Sequence, residues 1–215
     1  MSFMQPKITS AARQTITIVP EELSARDSYR LLISLVVPRP IAWVSSIGAD
    51  GSLNLAPFSF FNAVSGSPPI VMVSIGQRKG QPKDTLRNVQ ETGEFVVNMV
   101  DRDLAEAMNQ TSGEWAYEVD EFELAGLETA PSIEVRPPRV AAAKVALEAK
   151  LTQVIPIEGS TSAMILGRVV RFHIRDGLLR PNGLADAALL QPVARLGGDE
   201  YATLGQIFAM ARPRL

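Results

Sequence analysis

Hydrophobic and polar residues follow two different periods along the chain, and these predict long strands and isolated helices. Residues 144–151 alternate between apolar and charged side chains, which predicts a strand with one face in water and Glu148 on that face. Apolar runs bounded by turn residues predict further strands. These lie at 41–47, 52–57, 70–75, 95–100 and 163–174, with an arm or edge strand at 15–19.

Apolar residues at helical spacing predict four helices. The first covers residues 25–36, with Ser24 as its N-cap and one apolar face formed by Tyr29, Leu32, Ile33 and Val36. The second covers 83–92 and ends at Gly93, because glycine tolerates the left-handed conformation of a helix end. The others are predicted at 102–111, capped by Asp101, and at 204–211, capped by Thr203.

The order of these elements predicts the fold class. Strands and helices do not alternate regularly, as they do in a doubly wound sheet, and neither Gly-x-Gly-x-x-Gly nor a Walker lysine loop occurs. We therefore predict a mainly β fold, an antiparallel β-barrel with helical excursions (α+β). It forms one domain over residues 1–215, with the barrel core at about 25–175 and a C-terminal extension at 176–215.

Composition narrows the chemistry. The 215 residues include no cysteine and one histidine, His173, which excludes disulfides, iron–sulfur clusters, thiolate catalysis and a multi-histidine metal site within one chain. An organic cofactor must therefore supply any redox chemistry. The net charge of −2 argues against a nucleic-acid partner. No apolar run approaches a membrane span and no signal peptide is evident, so we expect a cytoplasmic protein.

Residues 38–69 mix small hydroxyl residues, prolines and aromatic residues. A flat, amphipathic ring such as isoalloxazine needs apolar walls for its faces and hydrogen-bonding groups along one edge, and this mixture supplies both. The alternative is a hairpin and a buried loop whose phenylalanines fill the core.

Lys83, Asp84 and Thr85 open the second predicted helix. A helix N-terminus offers unpaired N–H groups that suit a phosphate, to which Lys83 adds a charge and Thr85 a hydroxyl. Asp84 fits poorly beside an anion and can cap the helix instead. An ordinary N-cap beside a solvated lysine explains the same three residues.

His173 and Tyr201 are two further candidates. His173 lies on a predicted strand and could donate a hydrogen bond to a ligand or a proton near neutral pH, although a single strand histidine is more often a structural residue. Tyr201 ends a glycine-rich stretch that is either a lid over a ligand or a simple turn.

Six short motifs occur in the order seen in flavin reductase-like, flavoredoxin-type proteins, and the chain resembles that family over roughly residues 25–175. The motifs lie at 38–46, 50–51, 54–59, 68–69, 83–85 and 95–98. The resemblance implies a split Greek-key β-barrel that binds FMN noncovalently. It also implies a homodimer with flavin sites near the subunit interface.

The same resemblance assigns the cofactor-binding residues. Lys83 and Thr85, with Asp84 between them, hold the phosphate side. No residue is implied to be catalytic and no metal is implied, since flavin N5 carries the hydride. The residues implied to line the flavin are Ser45 and Ser46, and those implied to meet the ring largely through backbone groups are Ala56, Pro57, Phe58, Ser59 and Asn62.

The function implied is an NAD(P)H-dependent flavin oxidoreductase that passes hydride to flavin N5 and electrons to an unidentified acceptor. FMN is either a tightly held prosthetic group or a substrate released to a partner monooxygenase. The alternative is a flavin carrier or sensor without nicotinamide turnover.

Overall fold

The computed structural model describes residues 15–213, and antiparallel strands dominate this range. The strands of the first half are β1 (Arg39–Pro40), β2 (Ala42–Ile47), β3 (Leu53–Phe58), β4 (Phe61–Gly66), β5 (Pro69–Ile75), β6 (Gln77–Arg78), β7 (Gln81–Pro82) and β8 (Glu94–Met99). Those of the second half are β9 (Thr129–Ala130), β10 (Arg139–Val140), β11 (Val145–Pro156), β12 (Ala163–Ile174), β13 (Val193–Arg195) and β14 (Tyr201–Thr203).

Helices are short and occur between the strands. They are α1 (Ala25–Leu35), α2 (Asp84–Thr92), α3 (Ala105–Gln110), α4 (Glu121–Leu124) and α5 (Ala187–Leu190), preceded by a 3-10 turn at Pro20–Glu22. Among the described residues, no helix has the length and apolar character needed to cross a membrane.

Seven strands form one antiparallel sheet in the order β3-β2-β8-β11-β12-β5-β4. Its two edge strands, β3 and β4, are consecutive in the chain and are joined only by Ser59 and Phe60. Because so short a connection cannot span the width of a flat sheet, the sheet curls until its edges approach. The mainly β fold and the split barrel are thereby confirmed.

Two main hydrophobic clusters pack on opposite faces of this curled sheet. Alternate residues of β2 divide between them: Val44 joins the barrel interior, whereas Trp43 joins an outer cluster with Met108 and Phe122 of α3 and α4. Leu86 and Val89 of α2 pack into the interior cluster, so α2 is held against the barrel.

Polar groups fix the start of α2 against the β2–β3 hairpin. Asn54 Nδ2 donates to Thr85 Oγ1 over 2.8 Å and to Ser46 Oγ over 3.3 Å, and Asn88 Nδ2 donates to the same Ser46 oxygen over 3.3 Å. All four residues are at most 5% exposed. Gly93 ends the helix at a φ of +72°, as its position predicted.

Two helix predictions are partly corrected. Ser24 caps α1 as predicted, but of the predicted apolar face only Ile33 is buried, and the other three residues are more than half exposed in the described range. The third helix begins later than predicted, at Ala105, since Asp101 Oδ1 accepts from the N–H groups of Asp103 and Leu104 in a preceding turn.

The two ends of the chain differ from the prediction. Residues 204–213 form no helix: Tyr201–Thr203 pairs with β13, and the large apolar residues beyond it are exposed. Residues 15–19 form no strand, because they have no pairing partner among the described residues. Residues 1–14, where the predicted domain begins, and 214–215, where it ends, lie outside the described range.

Glu148 does not lie on a wet face as predicted. It is fully buried, because residues 131–138 fold over it: the N–H groups of Ile133 and Glu134 donate to its carboxylate, and His173 Nε2 lies 2.5 Å from Oε1. Burial raises its pKa, but these hydrogen bonds outweigh burial and hold the pKa below its ordinary value.

Gly167 of β12 packs so closely against the Phe95 ring that there is no room for a side chain at this position. A Cβ at this position would lie 2.2 Å from Cζ of the buried Phe95. We expect Gly167→Ala to lower the free energy of unfolding by about 1–3 kcal/mol in urea titrations, because the aromatic ring is packed and cannot retreat.

Gly76→Ala is the matched control, since its Cβ would meet Ser162 Oγ at an ordinary 3.5 Å. It should change stability by less than about 0.5 kcal/mol. A Gly167→Ala protein as stable as the wild type would contradict this account of the barrel interior.

Candidate functional site

A cavity of about 80 Å³ lies where the free edge of β3 meets the first turn of α2. We call it the first cavity. Two loops, at residues 111–115 and around Arg78, complete its wall. It is lined by Asn54, Ala56, Pro57, Phe58, Arg78, Lys83, Asp84, Thr85, Thr111, Ser112, Gly113, Glu114, Trp115 and Glu121.

Lys83 and Thr85 line this cavity from the start of α2. The sequence predicted that they would lie together at a helix start. Lys83 occupies the N-cap position, its side chain makes no cap hydrogen bond, and its Nζ lies 5.7 Å from the centre of the Phe58 ring. Thr85 is 1% exposed and accepts the bond from Asn54. Cation, hydroxyl and helix N-terminus therefore meet at one end of the cavity.

Asp84 also lies in the wall, and two arginines compensate its charge. Arg87 Nη2 lies 3.0 Å from one carboxylate oxygen and Arg78 Nη2 lies 3.7 Å from the other. Asp84 does not cap the helix, because Lys83 occupies the N-cap position and Asp84 is the first residue of the helix itself. The misfit of an aspartate beside an anion is reduced by this pairing.

Glu121 is a functional candidate that sequence reasoning missed. Its Oε2 accepts a hydrogen bond of 3.0 Å from the backbone N–H of Leu55, and the residue is 7% exposed. Burial raises its pKa to about 7, against the effect of that hydrogen bond. No sequence signal points to it, because a long stretch of chain separates it from β3.

The bond from Leu55 also shows which backbone groups face the cavity. The N–H of Leu55 points away from β2. Every second residue of β3 shares this orientation, so Leu55 and Pro57 direct their carbonyls to the free edge. Pro57 has no N–H to direct there. The β3 edge therefore offers mainly acceptors to a ligand.

A second cavity of about 280 Å³ meets the first at Pro57, Phe58 and Ser112. Tyr201 lies in its wall, where its hydroxyl donates to Asn109 Oδ1 over 3.0 Å and the Arg195 guanidinium stacks 4.4 Å from its ring centre. Arg195 also donates to the Tyr201 hydroxyl. The remaining lining residues are Tyr29, Ile41, Ser59 and Met108.

Arg39 positions Ser59 in this second cavity. The guanidinium is buried and donates to the carbonyls of Ile33 and Val36 at the end of α1, to the carbonyl of Leu196 and, over 3.4 Å, to Ser59 Oγ. One side chain thus joins α1, the C-terminal hairpin and the split between β3 and β4.

Four predicted residues are not brought to either cavity. Ser45 and Ser46 are fully buried with internal partners: Ser45 Oγ donates to the Pro138 carbonyl, and Ser46 Oγ accepts from the two asparagines. Asn62 is exposed on β4 and accepts from the Ala63 N–H. His173 of β12 is paired with Glu148 of β11 and is not among the lining residues.

Comparisons with known proteins agree with this architecture. The family model described as flavin reductase like domain matches residues 34–190. An uncharacterised protein of Halalkalibacterium halodurans is 43% identical over 201 residues, covering 91% of this chain and 96% of that protein.

Two crystal structures are similar over nearly their whole length. Nitrilotriacetate monooxygenase component B from Bacillus cereus gives a TM-score of 0.90 at 37% identity, covering 93% of this chain and 100% of that chain. The 2-nitrobenzoate 2-nitroreductase of Pseudomonas fluorescens gives 0.84 at 32% identity, covering 92% and 96%. Because the family model covers residues 34–190 and both structures match more than nine-tenths of the chain, the chain belongs to the flavin reductase-like family. It is, in general terms, a flavin oxidoreductase.

Proposed function

We propose that this protein holds FMN noncovalently across the two adjacent cavities and reduces it with NAD(P)H. The observation that carries the proposal is that both cavities share Pro57, Phe58 and Ser112. The first suits a charged group and the second a flat ring. A single ligand with a phosphate at one end and a ring at the other matches that arrangement.

The phosphate end is assigned to the first cavity. Lys83 supplies a positive charge, and the first turn of α2 supplies N–H groups without helical partners. Thr85 is fixed by Asn54, so its hydroxyl has a defined orientation. A volume of about 80 Å³ suits a small anionic group and excludes a three-ring system.

The ring end is assigned to the second cavity. Its volume of about 280 Å³ is close to the lower end of the roughly 300–1,000 Å³ typical of small-molecule sites. The carbonyl groups on the free edge of β3 suit the N–H donor of an isoalloxazine edge, and Phe58 and Tyr201 supply aromatic surface. Pro57, Phe58 and Ser59 therefore keep their proposed role beside the ring, whereas Ala56 lines the first cavity and Ser45, Ser46 and Asn62 lie outside both.

The chain's own residues bind and orient in this scheme. When bound, the flavin supplies the hydride-accepting chemistry that no side chain of the site provides. A third cavity, of about 540 Å³, adjoins the second at Tyr201 and is lined by Arg102 and Asn109 among others. It provides space for a nicotinamide donor beside the ring.

Two similar proteins support two different versions of the proposed function, which differ in what accepts electrons from the reduced flavin. One is the component B of nitrilotriacetate monooxygenase, which supports release of reduced flavin to a partner monooxygenase. The other is a 2-nitrobenzoate 2-nitroreductase, which supports a retained flavin that serves a small acceptor. We propose the first version, because the similarity to component B is higher in both identity and TM-score.

Replacing Lys83 tests the phosphate assignment. We expect Lys83→Met to weaken FMN binding by about tenfold to a hundredfold, because a charge-assisted hydrogen bond is worth about 1.5–3 kcal/mol. Riboflavin, which lacks the phosphate, should bind equally well to both proteins. Fluorescence quenching of each flavin measures both affinities.

Lys150→Met is the control, since Lys150 is exposed on β11 and does not line the cavity. It should leave both affinities unchanged. Equal losses of FMN and riboflavin affinity in Lys83→Met would disprove the phosphate assignment while leaving flavin binding intact.

Anaerobic reduction tests the oxidoreductase proposal. Mixing the protein and FMN with NADH or NADPH should bleach the visible flavin absorbance faster than the same mixture without protein. If neither nicotinamide bleaches bound flavin, the protein is a carrier or sensor. A colourless purified protein that reduces added FMN favours the released-flavin version, whereas a retained yellow cofactor favours the prosthetic version.

We also propose that the protein is a homodimer that associates through α1 and β4. Leu32 and Leu35 of α1 and its C-cap residue Val36 are 52%, 70% and 56% exposed, and Phe60 and Val64 at the β4 edge are also exposed. Large apolar side chains exposed on two elements that Arg39 links are typical of an interface. Tyr29 of the same helix lines the second cavity, so a second copy would cover the ring end of the site.

Leu32→Asp tests the dimer, because it places a charge at the centre of the exposed apolar face of α1. Light scattering after gel filtration should show a dimer for the wild type and a monomer for the variant. Arg30→Asp, an exposed position on the same helix, should remain dimeric. A wild-type monomer, or a dimer that survives Leu32→Asp, would contradict the proposed interface.

A further inference from the structure

Glu121 places a buried carboxyl group beside the proposed phosphate position. It lies in the wall of the first cavity with Lys83 and Thr85, and its Oε2 is held by the N–H of Leu55. Among residues 15–213, no lysine, arginine or histidine nitrogen lies within 4.0 Å of this carboxylate. A buried carboxylate without a cation is costly, and this one has no role in the proposed function as described so far.

Several charged groups line the first cavity with Glu121. Lys83 and Asp84 belong to the start of α2, Arg78 to β6 and Glu114 to the loop after α3, while Asp120, the N-cap residue of α4, directly precedes Glu121. The charge of Asp84 is offset by Arg78 and Arg87. Burial and the negative charges of Asp84 and Asp120 together raise the pKa of Glu121 to about 7.

We propose that Glu121 couples phosphate binding to a proton: its carboxyl group is neutral when FMN is bound and becomes charged in the flavin-free protein above neutral pH. The inference rests on the proposed function, since it requires the FMN phosphate to enter the first cavity. As a consequence, affinity for FMN falls as pH rises, whereas affinity for riboflavin does not.

The physical reason is repulsion between like charges in a small cavity. A phosphate dianion disfavours an ionised carboxylate nearby, so its arrival raises the carboxyl pKa further. The protonated carboxyl group can still accept the hydrogen bond from Leu55 and can donate one of its own. Above the raised pKa, the proton must be lost and the phosphate meets a second negative charge.

The sign of the effect follows from proton linkage. The complex with FMN binds a proton that the free protein has begun to release near pH 7, so each step upward in pH favours dissociation until the carboxyl group ionises in the complex as well. A rise of one pKa unit on binding gives a loss of about fivefold in FMN affinity between pH 7 and pH 9. The phosphate is mostly a dianion over this range, because its second pKa is about 6.

The experiment measures FMN and riboflavin affinities at pH 7, 8 and 9 by fluorescence quenching. The wild type should lose about fivefold or more of its FMN affinity across this range and none of its riboflavin affinity. Glu121→Gln keeps the shape and an acceptor for Leu55, and its FMN affinity should be independent of pH and at least equal to that of the wild type at pH 9. Glu123→Gln, exposed on the same helix, should behave like the wild type.

Calorimetry of the wild type in two buffers of different ionisation enthalpy gives an independent readout that needs no variant. FMN binding at pH 7.5 should take up protons and riboflavin binding should not. FMN affinities with the same pH dependence in wild type and Glu121→Gln, or no proton uptake, would overturn the coupling while leaving FMN binding established. Absence of binding by both flavins would instead overturn the proposed function, and the coupling with it.

Discussion

Two residues, Ser59 and Phe60, join the strands that form the opposite edges of a seven-stranded sheet, and much of the molecule follows from this short connection. The sheet must curl for the edges to meet, yet β3 and β4 do not pair, so the barrel wall stays open there. Unpaired strand edges need partners or protection. Here Glu121 binds the Leu55 N–H and Pro57 has no N–H, so the open edge is available to a ligand without leaving a buried donor unsatisfied.

A polar cluster behind that edge holds the elements that form the proposed phosphate end of the site. Asn54 connects β3 to Thr85, while Ser46 receives hydrogen bonds from Asn54 and from Asn88. Each such bond contributes about 1 kcal/mol, and losing one partner leaves a buried group unsatisfied at a cost of about 1–3 kcal/mol. The cluster therefore holds the N-terminus of α2, and with it Lys83, against the split.

Sequence periodicity predicted most of this architecture because strand alternation and helix ends are local properties. Lys83 and Thr85 could be placed at a helix start for the same reason. Glu121 could not be found, since it reaches β3 only through the folded chain. Glu148 was wrongly predicted to be exposed, because a charged residue in an alternating strand looks the same whether water or a covering loop satisfies it.

The serines illustrate a second limit. A hydroxyl in a strand carries no sequence signal that separates an internal hydrogen bond from a contact with a ligand. Ser45 and Ser46 are satisfied by Pro138 and by two asparagines, so their side chains support the site from behind. The final predicted helix failed for a related reason: apolar spacing cannot show that Tyr201–Thr203 already pairs as a strand.

Arg39 connects the proposed ring end of the site to the proposed dimer surface through its hydrogen bonds. Its guanidinium holds the last carbonyls of α1, the Leu196 carbonyl of the hairpin that carries Tyr201, and Ser59 at the split. Because these acceptors are neutral, the buried charge is stabilised by hydrogen-bond number and by its place at the C-terminal end of the α1 dipole. In the proposed dimer, a displacement of α1 would therefore move groups that line the second cavity, so Arg39 links the proposed subunit contact to the proposed flavin site.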